Sequence, residues 1–156
     1  MKELHVYDFD GTLYDSPRAP DNNPAWWLYT KSLAEAGPPG FDFRWRLPIV
    51  IQARRSMQRL GTTTILVTGR PDYREMRERI EQLLRDASLD FDFVFLKPPS
   101  LDVTTPDYKA AVLATFVDQD PTYKKVMMYD DDDANHKAVR KHLSQRPVIY
   151  EGVLVL

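Results

Sequence analysis

Two aspartates separated by a single residue close the first apolar run of the chain, His5-Val6-Tyr7-Asp8-Phe9-Asp10-Gly11-Thr12. Alternate residues of an extended segment project to the same side, so Asp8 and Asp10 are able to face one small site. Carboxylates that close repel each other unless a cation or a shared proton lies between them. The pair therefore predicts a Mg²⁺ site in which one carboxylate serves as nucleophile or acid–base group. Taken alone, the same residues also suit a plain strand-to-turn transition, where aspartate and glycine are favoured for backbone reasons.

Three further polar clusters follow apolar runs. Ile65-Leu66-Val67 leads into Thr68-Gly69-Arg70, where a hydroxyl can donate to an anionic oxygen, a glycine lets backbone N–H groups approach it, and an arginine can clamp a phosphate or pair with a carboxylate. Val126-Met127-Met128-Tyr129 leads into Asp130-Asp131-Asp132-Asp133, four adjacent charges whose repulsion a cation would offset. Asp130 leaves the strand first and is the leading metal ligand, with Asp131 next, whereas Asp133 suits a helix N-terminus. The third cluster is a lysine, either Lys97 after the third apolar run or Lys109 in a helix before the acidic one. If the first and fourth strands are neighbours, Lys97 lies off to one side and Lys109 reaches between them, so Lys109 is preferred.

The elements that must position these groups are visible as apolar periodicity. Strands are expected at Leu4 to Tyr7, Thr63 to Val67, Phe91 to Leu96, Val126 to Tyr129 and Val148 to Tyr150, with Val153 to Leu156 extending the last or adding an edge. A helix over Pro48 to Leu60 aligns Val50, Ala53, Met57 and Leu60, and one over Tyr73 to Asp86 aligns Met76, Ile80, Leu83 and Leu84. Asp72 and Glu75 read as a capping pair for the second helix. A third helix, with Thr105 as N-cap and Pro106 at its first position, is expected to bury Tyr108, Val112 and Phe116, and a fourth spans about Asp133 to Leu143. Strands alternating with helices imply an α/β fold, a doubly wound parallel sheet. All four clusters then fall on the strand-end rim where such sheets bind ligands.

Residues 14–46 break this alternation with seven prolines and glycines and all three tryptophans. They are expected to form a flap within a single domain of residues 1–156, with a short helix at Trp26 to Glu35. Trp26, Trp27, Arg44 and Arg46 combine aromatic faces with cations and are the candidate substrate contacts, alongside Gly69 and Arg70; packing of the tryptophans against the body is the alternative.

Composition narrows the chemistry. The chain has no cysteine and only three scattered histidines, which excludes disulfides, thiolate catalysis and cysteine-ligated zinc and leaves oxygen ligands suited to Mg²⁺ or Mn²⁺. A net charge of −2 gives no global attraction for a polyanion. With no signal-peptide pattern and no membrane span in the sequence, a cytoplasmic protein without membrane partners is expected.

The order Asp-x-Asp-Gly-Thr, strand-Thr-Gly-Arg, helical lysine and strand-Asp-Asp resembles the haloacid dehalogenase-like (HAD) phosphohydrolase superfamily across nearly the whole chain. Within it, Thr68-Gly69-Arg70 with Tyr129-Asp130-Asp131 is similar to the phosphatase domains of phage-type polynucleotide kinase-phosphatases and to the HAD domains of Swiss Army Knife RNA-repair-like proteins. One departure is Asp132, which stands where those groups often carry arginine. The resemblance implies a Rossmann-like fold with a minimal cap and a Mg²⁺-dependent phosphatase. It further implies Asp8 as nucleophile, Asp10 as proton shuttle, Thr68 and Lys109 as phosphate-stabilising groups, and a metal held by Asp8, Asp130 and the Asp10 backbone carbonyl. Asp131 would hold a metal-bound water. The expected substrate is a nucleotide or a nucleic-acid terminal phosphate; a small phosphorylated metabolite, or a non-catalytic binding module with this fold, are the competing readings.

Overall fold

Strand β1 (Lys2–Tyr7) is buried on both faces from Glu3 onward, as a central strand of a parallel sheet is when helices cover both sides. The computed structural model describes residues 2–17, 23–33 and 44–156, and it places β1 in the middle of five parallel strands. The others are β2 (Thr62–Pro71), β3 (Phe93–Lys97), β4 (Tyr123–Asp130) and β5 (Ile149–Leu154), in the order β3-β2-β1-β4-β5. Four helices connect them: α1 (Leu47–Gln58), α2 (Arg74–Asp86), α3 (Thr105–Gln119) and α4 (Asp133–Leu143). The Rossmann-like α/β fold is thus as expected. Because β1 pairs with β2 on one side and β4 on the other, the strand order reverses beside β1, and the crevice at the carboxyl ends of β1 and β4 is the topological switch point.

Strand parity decides which face each site residue meets. Leu4 and Val6 of β1, and Val126 and Met128 of β4, pack into one core cluster with Tyr108, Leu113 and Val117 of α3 and Val139 of α4. Tyr7 and Phe9 belong to the opposite cluster, with Val50 and Ala53 of α1 and Met76, Ile80 and Leu83 of α2. Two residues past Val6 and Met128, the same parity directs Asp8 and Asp130 toward α3.

Several local expectations need correction. Leu60 follows the end of α1 and is 96% exposed, since the helix stops at Gln58 and the chain turns through Gly61 into β2; Ser56 takes the inward place instead. In α3 the buried residues are Tyr108, Lys109, Ala110, Leu113, Ala114 and Val117, while Val112 and Phe116 are only half-buried. That rotation arises because α3 packs on α4 as well as on the sheet. Its N-cap is Thr104, whose hydroxyl accepts from the Asp107 N–H, one residue earlier than expected. Asp72 and Glu75 form no capping pair at α2: Tyr73 is the N-cap without a side-chain bond, and the Asp72 carboxylate pairs with Arg77 at 2.9 Å. The Val153–Leu154 pair extends β5 rather than forming another strand. Instead of a helix from Trp26, the described residues hold two 3₁₀ turns, Pro24–Leu28 and Thr30–Leu33; the expected helix end at Glu35 lies outside the described residues. Trp45 is core, 4% exposed and edge-on to Tyr14 at 5.2 Å.

A buried histidine ties β1 to α1. His5 Nδ1 lies 2.7 Å from the Ser56 hydroxyl, and Nε2 lies 3.3 Å from Glu3, which also receives Arg59. Burial lowers the His5 imidazolium below its ordinary value, outweighing the opposing pull of Glu3. A folded-state value below the unfolded one means the unfolded chain binds the extra proton, so stability is complete above about pH 6.5 and is lost as pH falls. Urea midpoints are expected to decline between pH 7 and pH 5.5, and His5→Gln should flatten that decline. An unchanged slope in the variant would show that His5 is not its source.

Candidate active site

The carboxyl ends of β1 and β4 deliver Asp8 and Asp130 side by side. Register carries Tyr7 opposite Tyr129, and the Asp8 N–H donates to the Tyr129 carbonyl at 3.0 Å. Lys109, one turn into α3, donates to Asp8 Oδ1 and to Asp130 Oδ2, each at 2.7 Å. All three are buried. Burial alone would lower the Lys109 ammonium, but the charges of Asp8 and Asp130 outweigh it and hold the group above its ordinary value. Burial pushes the Asp8 carboxyl well above the usual carboxylate range, against the Lys109 charge. One ammonium against two buried carboxylates leaves a local charge deficit. Lys97, at the end of β3 two strands from β1, does not line this cleft.

Other groups orient the pair. The Thr12 hydroxyl donates to Asp8 Oδ2 at 3.2 Å, and Asn135 Nδ2 donates to both oxygens of Asp130, at 3.1 and 3.0 Å. The Asp132 N–H donates to Asp130 Oδ1 at 2.9 Å, while the Asp132 carboxylate caps α4 through the Ala134 N–H. His136 Nε2 is 3.0 Å from the Asp130 carbonyl, so that nitrogen carries the proton and Nδ1 accepts from the Tyr150 hydroxyl at 2.6 Å. Sequence reasoning overlooked Asn135. Its signal was position: it lies in the first turn of α4, directly after the acidic end of β4.

Asp8, Asp130 and Asp131 each offer an oxygen within 4.8 Å of the others. Asp131 reaches the cluster only because residue 11 is glycine: with φ at +76°, a β-carbon there would lie 2.1 Å from the Asp131 carboxylate. An all-oxygen set with two buried carboxylates fits a hard divalent cation such as Mg²⁺. Asn135, which holds Asp130, has a further acceptor in its Oδ1, buried with no hydrogen-bond partner among the described residues. The Asp10 carboxylate is not in this cluster.

Asp10 instead meets Arg70, which donates through Nε at 2.9 Å and Nη2 at 2.7 Å to its two oxygens. Ser16 also donates to Asp10. Arg70 is 2% exposed, and its remaining nitrogen donates to the Trp27 carbonyl and the Ser32 hydroxyl. Its guanidinium lies 5.0 Å from the Trp27 ring. Of the two roles open to this arginine in the sequence, phosphate clamp or carboxylate partner, the second is the one it occupies here. The Thr68 hydroxyl accepts from the Arg70 N–H at 3.1 Å, which leaves its own proton to donate into the cleft. Gly69 packs on α3, where a β-carbon would come 2.6 Å from the Thr105 hydroxyl.

A cleft of about 410 Å³ gathers Asp8, Asp10, Thr68, Gly69, Arg70, Lys109, Asp131 and Trp27 around one space. Three of the expected substrate contacts lie elsewhere. Trp26 turns away, its indole N–H donating to the Pro17 carbonyl at 3.2 Å. Arg44 donates to the Asp15 carbonyl at 3.4 Å. Arg46 links the Gly11 carbonyl, at 2.6 Å, to the carbonyl of Leu156. The assembled groups can bind an anion against a cation, present a buried carboxylate to it, and hold a second carboxylate nearby.

Residues 9–149 match the model of HAD domain family 1 in Swiss Army Knife RNA repair proteins. The uncharacterized protein YMR265C of Saccharomyces cerevisiae is 26% identical over 165 aligned residues, covering 84% of this chain and 34% of the relative, so this chain spans about a third of that protein's length. Among solved structures, a chain of the Pnkp1/Rnl/Hen1 RNA repair complex superposes with a TM-score of 0.65 at 18% identity, covering 98% of this chain and 42% of that one. The HAD domain of the effector protein Lem4 from Legionella pneumophila gives 0.61 at 13% identity, over 98% and 85% of the two chains. At these identities the structural likeness shows a shared fold. No helix among the described residues is long and apolar enough to cross a membrane.

Proposed function

The chain belongs to HAD domain family 1 of the Swiss Army Knife RNA repair proteins, and on that premise we propose that it is a phosphatase acting on nucleic-acid terminal phosphates through an aspartyl-phosphate on Asp8. The observation that carries this reading is the Lys109 bridge between Asp8 and Asp130 within a cleft that also holds Thr68 and the Arg70–Asp10 pair.

Asp8 attacks phosphorus as the bond to the leaving oxygen breaks, and the Asp10 carboxyl passes its proton to that oxygen. Asp10, now a carboxylate, takes a proton from water, whose oxygen attacks the same phosphorus and releases Asp8. A carboxylate cannot approach a phosphate dianion unless charge is neutralised; Mg²⁺ held by Asp8, Asp130 and Asp131 would supply that neutralisation. Lys109 contributes a fixed positive charge, and the Thr68 hydroxyl with neighbouring backbone N–H groups binds the remaining oxygens. Arg70 holds the Asp10 carboxyl through both oxygens and so fixes where its proton is delivered. Proton transfer is thereby linked to the Trp27–Ser32 segment that the same guanidinium holds. That segment lies within the flap, residues 14–46, to which we assign substrate choice.

A panel with Mg²⁺ tests the reading: mononucleotides, 3′- and 5′-phosphorylated oligonucleotides, sugar phosphates and p-nitrophenyl phosphate. Phosphate release is expected, fastest from an oligonucleotide end. Preference for sugar phosphates, with no competition by oligonucleotides, would replace the substrate class. Silence on every substrate would leave a binding module.

A further inference from the structure

Beside the catalytic cleft, and sharing Leu28 with it, lies a second depression of about 280 Å³ lined by Tyr29, Thr30, Tyr73, Glu75 and Met76. Thr30 and Glu75 also border a third, of about 500 Å³, which contains Arg79 and Arg85. Through these shared residues the three follow one another between the 3₁₀ segments and α2, from its first turn to Arg85. Their chemistry alternates: a phosphate site, two tyrosine rings, then arginines. We infer that this track holds the nucleotide strand that carries the terminal phosphate, with one base in the Tyr29–Tyr73 depression and the following backbone phosphate at Arg85. The inference rests on the proposed reaction for its first station and extends it to the length and chemistry of the substrate.

The observations favour a base over other occupants. Tyr29 and Tyr73 are 54% and 43% exposed, large values for aromatic rings that stand next to each other in one depression. Neither stacks on the other, and neither hydroxyl has a hydrogen-bond partner among the described residues; Lys31 stands over the Tyr29 ring at 5.4 Å. The Tyr73 ring, left open beside a phosphate site, suits the stacking of a single-stranded base, with the Tyr29 ring and its Lys31 partner alongside. An apolar peptide would leave the Glu75 carboxylate unmatched, whereas the exocyclic amine of adenine, cytosine or guanine can donate to it. Arg79 is committed to the wall of the track, donating to the Leu33 carbonyl at 3.2 and 2.7 Å, while Arg85 is exposed in the last turn of α2. Glu78 faces the same depression but pairs with Arg74 at 3.0 Å.

The test compares kcat/KM for a phosphorylated tetranucleotide with that for p-nitrophenyl phosphate, which reaches only the first station. Tyr73→Ala is expected to lower the ratio on the order of tenfold, the scale of one lost base stack, and Tyr73→Phe to restore it. Arg85→Ala is expected to lower the ratio and to reduce the salt slope of oligonucleotide binding by about 0.7, the increment for one phosphate contact on a single strand. Anisotropy of a labelled, unphosphorylated tetranucleotide gives a readout free of catalysis, in which both alanine variants should bind more weakly than wild type. If wild type binds the oligonucleotide and the variants weaken it while no phosphate is released, the track stands and the reaction falls. Ratios and affinities unaltered by both substitutions would overturn the track, whatever the enzyme does to p-nitrophenyl phosphate.

Discussion

Asp8→Asn is expected to reduce phosphate release by a factor on the order of 10⁴ or more while leaving the protein folded. The substitution keeps the size and one acceptor oxygen for Lys109 but removes the charge that attacks phosphorus. Its effect on stability should run opposite to intuition. Asp8 and Asp130 together oppose a single ammonium in a buried space, so losing one carboxylate leaves a matched Lys109–Asp130 pair. Thermal unfolding in EDTA should therefore occur at the same or a higher temperature than in wild type. Stabilisation by added Mg²⁺ should shrink, because one of three clustered oxygen ligands has become a neutral amide. Activity that survives this change would contradict a covalent aspartyl-phosphate.

Lys109→Met is expected to have the largest effect on stability, a loss of about 3–5 kcal/mol in EDTA. The methionine replaces the aliphatic stem, but the Asp8 and Asp130 carboxylates are then left buried, 7% and 0% exposed, against each other. Thr12 and Asn135 still donate to them, and neither carries charge. One carboxyl relieves the repulsion by taking up a proton, which raises its folded-state pKa above the unfolded value. The sign follows: the variant's relative stability is greatest in acid and falls as pH rises through that raised value. Mg²⁺ offers the missing charge and should recover part of the loss at neutral pH. Urea denaturation at pH 7, with EDTA or with Mg²⁺, measures both effects. A cost below about 1 kcal/mol, or one indifferent to the metal, would mean that Lys109 does not neutralise the pair.

The same bridge shows what could be read from the linear chain. Choosing Lys109 over Lys97 assumed that β1 and β4 are neighbours, an order that the alternation of strands and helices leaves open, and the observed sheet places them side by side. The inward faces of α2 were legible because Met76, Ile80, Leu83 and Leu84 recur at a single helical period against one sheet face. In α3 the periodicity misled. That helix packs on the sheet and on α4, and its buried set includes a charged lysine that no hydrophobic pattern marks as inward. Capping was misread where competition decided it: Asp72 met Arg77 across the first turn of α2 and left the cap without a side-chain bond.

Residue types and spacing alone determined the carboxylate pair after β1, the acidic end of β4, the helical lysine and the parallel α/β scaffold that brings them to one rim. These follow from local periodicity and strand parity, which depend on near neighbours in the chain. The tertiary structure decided what each polar group spends its bonds on. Arg70 faces Asp10 across 60 residues, Arg46 joins Gly11 to the Leu156 carbonyl, Trp45 packs into the core, and Tyr29 meets Tyr73 in one depression. Long side chains reach several ångströms and choose among partners that only the folded backbone brings within range, so their roles become definite only when the chain has closed around them.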